Sequence, residues 1–363
     1  MEDYKQILIY VLGFIWILFA SDYFAKFFQK IRLPLITGFL VTGVVCGPHV
    51  LNLLEINALK NLGFINDIAL AFIAFAAGAE LYLKDIRSRV KSILWNTFGQ
   101  MVVTFIVAST AIYFLAGYIP IIQDMASGSK IAIAILAATI FVARSPSSAI
   151  AVISELRAKG PFTQTAMGVT VIKDVLVIVL FAICLSISVM LVSGVAFNIK
   201  GLGILLMELL FAFVIGFVLG KLISRILSLL LNRIVKTILI IGTGYGTFLL
   251  SHFIHDISLD YLKFEIHFEP LLICITASFW VTNYSKYRPE FQKILHDTGP
   301  VIYVAFFTLV GAMLSIDILA KVWIIALVLF VVRLIALIIG AYVGTVLAGD
   351  PPIYKRIGWM PYV

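Results

Sequence analysis

Blocks of apolar residues about 17–30 long fill this chain, divided by short polar stretches. Each block is long enough to cross the ~30 Å hydrocarbon core of a bilayer as a helix. The pattern predicts eleven spans, at 5–28, 34–51, 62–83, 90–118, 130–157, 164–192, 202–231, 235–255, 268–285, 298–315 and 321–348. The fifth is interrupted by Val142-Ala143-Arg144-Ser145-Pro146-Ser147-Ser148. Proline removes a backbone donor and clashes with the preceding turn. The groups it frees at membrane depth must be satisfied by protein, water or an ion. The sixth span carries Lys173 and Asp174 about a third of the way along Ala166–Val192. Ionisable residues there cost at least ~2.5–3.5 kcal/mol on insertion scales, so they read first as a binding site or proton relay. A compensated kink and a structural ion pair are the plainer alternatives.

Composition strengthens the membrane reading. The chain is 62% hydrophobic and 13% charged, with a mean hydropathy of +1.10, well outside the range of soluble globular domains. One all-α polytopic domain is expected, without a soluble domain. The net charge of +8 would suit nucleic acid, but its distribution argues for a bilayer instead. With the N-terminus outside, the inner loops hold sixteen Lys and Arg residues. The outer side holds six: Lys5, Lys60, Lys130, Lys200, Lys263 and Lys321. That asymmetry fixes an N-out orientation in the cell membrane. The leader carries Glu2 and Asp3 and does not resemble a cleavable signal peptide. Cys46, Cys184 and Cys274 lie inside spans without metal-ligand spacing and read as packing residues. The five histidines fall at span ends or in loops. No enzymatic activity, metal site or cofactor is expected.

The chain also repeats itself. Phe75-Ala76-Ala77-Gly78-Ala79-Glu80-Leu81-Tyr82-Leu83 aligns with Thr308-Leu309-Val310-Gly311-Ala312-Met313-Leu314-Ser315-Ile316, at an offset of 233. Pro34-Leu35-Ile36 aligns with Pro270-Leu271-Leu272, at an offset of 236. Span one then matches span eight, which starts on the opposite side. Residues 1–192 and 234–363 therefore read as inverted repeats around a linker span at 193–233, an arrangement common in secondary transporters. The partners of spans five and six would start after residue 360, so a thirteen-span architecture truncated at Val363 is expected.

Asp174 suits both halves of an exchange, binding a cation when ionised and carrying a proton when neutral. Lys173 lies about 100° away around the helix and does not share its face. It also sits some eight residues inside the span, too deep to snorkel easily. Arg333, in the middle of span eleven, needs an acidic partner, and Asp174 is the candidate. Glu80, Asp22, Glu155 and Glu208 lie near span ends, where interfacial solvation accounts for them. Asn96 and Gln100, four apart, read as polar glue between helices.

Taken together these motifs resemble the cation:proton antiporter superfamily, in the branch of bacterial potassium-efflux and sodium/proton antiporters. The similarity runs from Leu33 to the end. It is carried by Leu33-Pro34-Leu35-Ile36-Thr37-Gly38, Gly43, Gly47-Pro48, Phe75 to Leu81, Ala143-Arg144-Ser145-Pro146-Ser147, Val171-Ile172-Lys173-Asp174-Val175 and Phe306 to Gly311. Gly358 to Val363 resembles the start of that family's second broken helix. The resemblance implies an inverted-repeat fold of thirteen spans with two crossing broken helices, a dimerisation domain and an elevator-like core. It implies a homodimer that exchanges sodium or potassium for protons, with Asp174 essential and Arg333 as its cationic partner.

Two positions depart from the family pattern. Lys173 replaces the usual Asp, Asn or Gln before the aspartate, and Arg144 replaces the usual Thr before the Ser-Pro. With Arg144, Lys173 and Arg333 charged, the cluster is net positive. At ~5 Å and an effective dielectric of ~20, each extra charge costs a bound cation about 3 kcal/mol. Either Lys173 is neutral and itself carries the proton, or a further acid compensates. The expected function is monovalent cation/proton antiport. The ion and proton site is Asp174, Lys173, Arg144, Ser145, Ser147 and Arg333, with Pro146 as the hinge of the broken helix. Two alternatives follow from the departures: an anion-handling variant, or a non-transporting sensor or scaffold in which Lys173 is a tethered cation.

Overall fold

A computed structural model describes residues 2–31, 33–119, 122–143, 146–193, 199–258 and 268–362. Its helices are α1 (Glu2–Lys30), α2 (Leu35–Cys46), α3 (Ile56–Asn61), α4 (Gly63–Glu80), α5 (Leu83–Ile86), α6 (Val90–Leu115), α7 (Ser127–Val142) and α8 (Pro146–Leu156). They continue with α9 (Pro161–Ser193), α10 (Ile199–Ser228), α11 (Arg233–Ile257), α12 (Pro270–Tyr284), α13 (Arg288–Ala312), α14 (Ile316–Ala348) and α15 (Pro352–Ile357). Among the described residues, eight segments are long and apolar enough to cross a membrane, and α2, α7 and α12 are shorter apolar helices. Each of the eleven expected spans is found as helix, the fifth as α7 and α8.

The tenth span starts earlier than its apolar run. Hydropathy places it at 298, whereas α13 begins at Arg288, with Pro289 in its first turn, and continues through Pro300. The added turns are amphipathic. Phe291, Ile294 and Leu295 are buried, while Glu290 accepts from Lys236 Nζ at 2.7 Å and Asp297 pairs with Arg233 at 2.5 Å. Lys236 also donates to the Leu227 carbonyl at 2.8 Å. These charges anchor a helix end that hydropathy reads as loop.

The chain divides into two compact units. The first comprises residues 1–80, 150–158 and 212–321. In it α2 packs on α13, and α4 packs on α12, α13 and α11. These contacts are close because small residues face backbone. A methyl group built at Gly78 would overlap the Ile275 carbonyl oxygen, and one built at Gly311 would overlap that of Leu40. Ser278 Oγ donates to the Phe75 carbonyl, and Gly43 sits against the carbonyl of Thr308. In lipid, where apolar burial does not drive helices together, such close packing is a main source of association. Gly311→Ala therefore destabilises the fold by about 1–3 kcal/mol, because the obstructing atom is backbone. Gly246→Ala, at a helical glycine with open space around it, stabilises by up to about 1 kcal/mol. Thermal unfolding in detergent separates the two, and equal midpoints would contradict the packing.

Glu155, at the end of α8, belongs to the same unit. Its Oε2 accepts the Leu35 backbone N–H at 3.0 Å, and its Oε1 accepts Gln29 Nε2 at 3.5 Å. Pro34, the N-cap of α2, provides no side-chain cap of its own. Glu155 is thus a helix cap as well as an interfacial acid. His49 Nδ1 lies 2.9 Å from Asp317 Oδ2.

The second unit comprises residues 81–149, 159–211 and 322–363. Here α6, α7 and α9 pack on one another, with cores of Ala108, Ile112, Ala134 and Ala138 and of Ile93, Ala166, Val169 and Leu337. Spans four and eleven meet through glycine. A Cβ at Gly340 would lie 2.7 Å from Gln100 Cα, and one at Gly344 would lie 2.6 Å from Asn96 Cα. The three cysteines are buried and free, as packing residues should be.

Candidate functional site

The interrupted helix shapes the site. α7 stops at Val142, and Ala143 leaves in an extended conformation (φ −58°, ψ 145°). Arg144 and Ser145 lie outside the described residues. The backbone becomes helical again at Pro146, a first-turn position where a missing N–H costs nothing. Ser147 follows in that turn. The break leaves the Ala143 carbonyl without a helical donor, and Arg333 of α14 supplies one, Nη2 donating at 3.1 Å. Arg333 is half-buried. The sequence reading paired it with Asp174, but the hydrogen bond identified for it goes to the carbonyl that the break frees.

Asp174 is half-buried on α9, and Lys173 beside it is only 1% exposed. A lysine this deep must be hydrogen-bonded to be tolerated. Its Nζ donates to Gln100 Oε1 on α6 at 3.3 Å. Gln100 is fully buried and is a partner of Lys173 that sequence reasoning missed. The signal was present, since Gln100 lies in an apolar span four residues after another amide. Its partner, however, is 73 residues away and invisible to helical spacing. Asn96, read with it as glue, donates to Asp350 at 3.2 Å and to the Ser92 carbonyl at 2.9 Å.

The second unit thus carries a half-buried carboxylate and a buried amine on α9, and a guanidinium bonded to the carbonyl that the break frees. A carboxylate of this kind can bind a monovalent cation or hold a proton, two roles that compete. Residues 15–359 match the family described as "Sodium/hydrogen exchanger, transmembrane". The chain belongs to that family. It is accordingly a multi-pass membrane protein of a transport family, with the all-helical fold of its relatives. This exchanger-family chain is 22% identical over 195 residues to the Methanocaldococcus jannaschii protein named "Probable Na(+)/H(+) antiporter 3", covering 54% of the chain and 44% of that relative. It thus spans under half the length of that curated relative. Two structures of the sodium proton antiporter MjNhaP1 from Methanocaldococcus jannaschii share its fold. One, at pH 8, has a TM-score of 0.69 at 17% identity, covering 97% of this chain and 81% of the other. The other, from an electron-microscopy map, has a TM-score of 0.75 at 18% identity, covering 99% and 84%.

Proposed function

We propose that this protein exchanges a monovalent cation, sodium or potassium, for protons by alternating access, with Asp174 as the exchange site. The observation that carries the reading is the half-buried carboxylate beside a buried lysine on α9, in the unit that contains the helix break capped by Arg333. Family membership and the antiporters named among its relatives support the reaction class. Arg144, Ser145 and Ser147 are assigned to the site on their place in the sequence around Pro146. One carboxylate that binds either ion but not both gives one-for-one, electroneutral exchange.

The protein works in the cell membrane with its N-terminus outside, as a homodimer. Residues 1–192 and 234–363 form inverted repeats about the span at 193–233. Contacts inside the first unit support the repeat. Gly78 against Ile275 mirrors Gly311 against Leu40, and Ser278 against Phe75 mirrors Gly43 against Thr308, all at an offset of 235 between α2 and α12. That is one residue from the offset of the paired prolines.

A second reading is favoured by the burial of Lys173, which would then fill the site permanently as a tethered cation in a sensor or scaffold. Proteoliposomes carrying a pH-sensitive dye, pulsed in turn with sodium, potassium and chloride, separate the readings. Exchange gives proton flux on cation pulses, an anion-handling variant responds to chloride, and a scaffold gives none.

A further inference from the structure

The buried face of α6 carries polar groups that cation exchange at Asp174 does not itself require. Ser92, Asn96, Gln100 and Thr104 recur every four residues, about one helical turn, and all four are buried. The first half of this stripe is internally satisfied, since Ser92 Oγ and Asn96 Nδ2 both donate to the Asp350 carboxylate. The second half is not. Gln100 Nε2 and Thr104 Oγ1 make no hydrogen bond among the described residues, although both residues are fully buried. Leaving a buried donor unmet is unfavourable, whereas a hydrogen bond to a charged group is among the stronger kinds. The Gln100 amide is therefore oriented by its oxygen, which takes Lys173 Nζ at 3.3 Å, at the expense of its nitrogen. Its backbone is fixed too, because Gly340 lets α14 approach Gln100 Cα closely.

We propose that Gln100 is a positioning residue of the exchange site: its amide oxygen holds the Lys173 amine against α6 and so limits the opposition of that charge to a cation at Asp174. A neutral acceptor on another helix does this without adding a charge of its own. The inference rests on the reading of Asp174 as the exchange site.

The test is a double-mutant cycle in proteoliposomes, with sodium and potassium as probes. Gln100→Leu removes the acceptor at similar volume and should raise the KM for the cation roughly tenfold with little change in kcat. In the Lys173→Asn background the same substitution should leave KM unchanged. Gln100→Glu, which holds the amine more strongly, should lower KM. An unchanged KM in Gln100→Leu, an equal rise in both backgrounds, or a higher KM in Gln100→Glu would overturn the assignment. The equal rise would show a merely structural role, and Gln100→Glu carries the test if the leucine variant does not fold. Cation-dependent thermal stabilisation of the same proteins gives a binding readout independent of transport. The same pattern in binding without flux refutes transport but keeps the role of Gln100. Flux without the pattern refutes Gln100 alone, and no cation-dependent shift in any protein refutes both.

Discussion

Asp174→Asn reduces cation-driven proton flux in proteoliposomes about a thousandfold, to the level of empty vesicles. A unit charge at about 4 Å in an effective dielectric of about 20 contributes about 4 kcal/mol to a bound cation. At ~1.4 kcal/mol per tenfold, its loss costs about three orders of magnitude in affinity. The amide also cannot carry the proton, so both halves of the exchange fail together. The variant keeps the side-chain shape, and its thermal midpoint should stay close to that of the parent. Flux that persists in this variant would remove Asp174 from the mechanism and move attention to Lys173.

Lys173→Asn works in the opposite direction. The buried amine opposes cation binding by about 3 kcal/mol if charged at ~5 Å in the same dielectric, so its removal lowers the KM for the cation about a hundredfold. KM measured in both proteins checks this. Loss of flux in Lys173→Asn would instead make the lysine the proton carrier, and flux that appears only in the variant would establish the tethered cation.

The spans were legible because a bilayer imposes a length that little else in the sequence imitates. The break at Ala143–Pro146 was legible for the same reason, since proline and charge are rare at that depth. Hydropathy failed at the start of α13, where Lys236 and Arg233 anchor a charged helix end through Glu290 and Asp297. It failed again at Gln100, an amide whose meaning depends on a lysine on another helix. At Arg333 the helix break also offers a free carbonyl, and the arginine bonds to it, a partner that the residue pattern alone did not point to.

The cap on α2 bears on how the chain is made. The Leu35 amide waits for a carboxylate 120 residues downstream. At about 5–20 residues per second of synthesis, that acid is polymerised roughly 6–24 s later. Through that interval the start of α2 leaves the ribosome without the Glu155 acceptor. The early hairpin of α1 and α2 is thus provisional in the nascent chain, and it is locked only once α8 has been delivered.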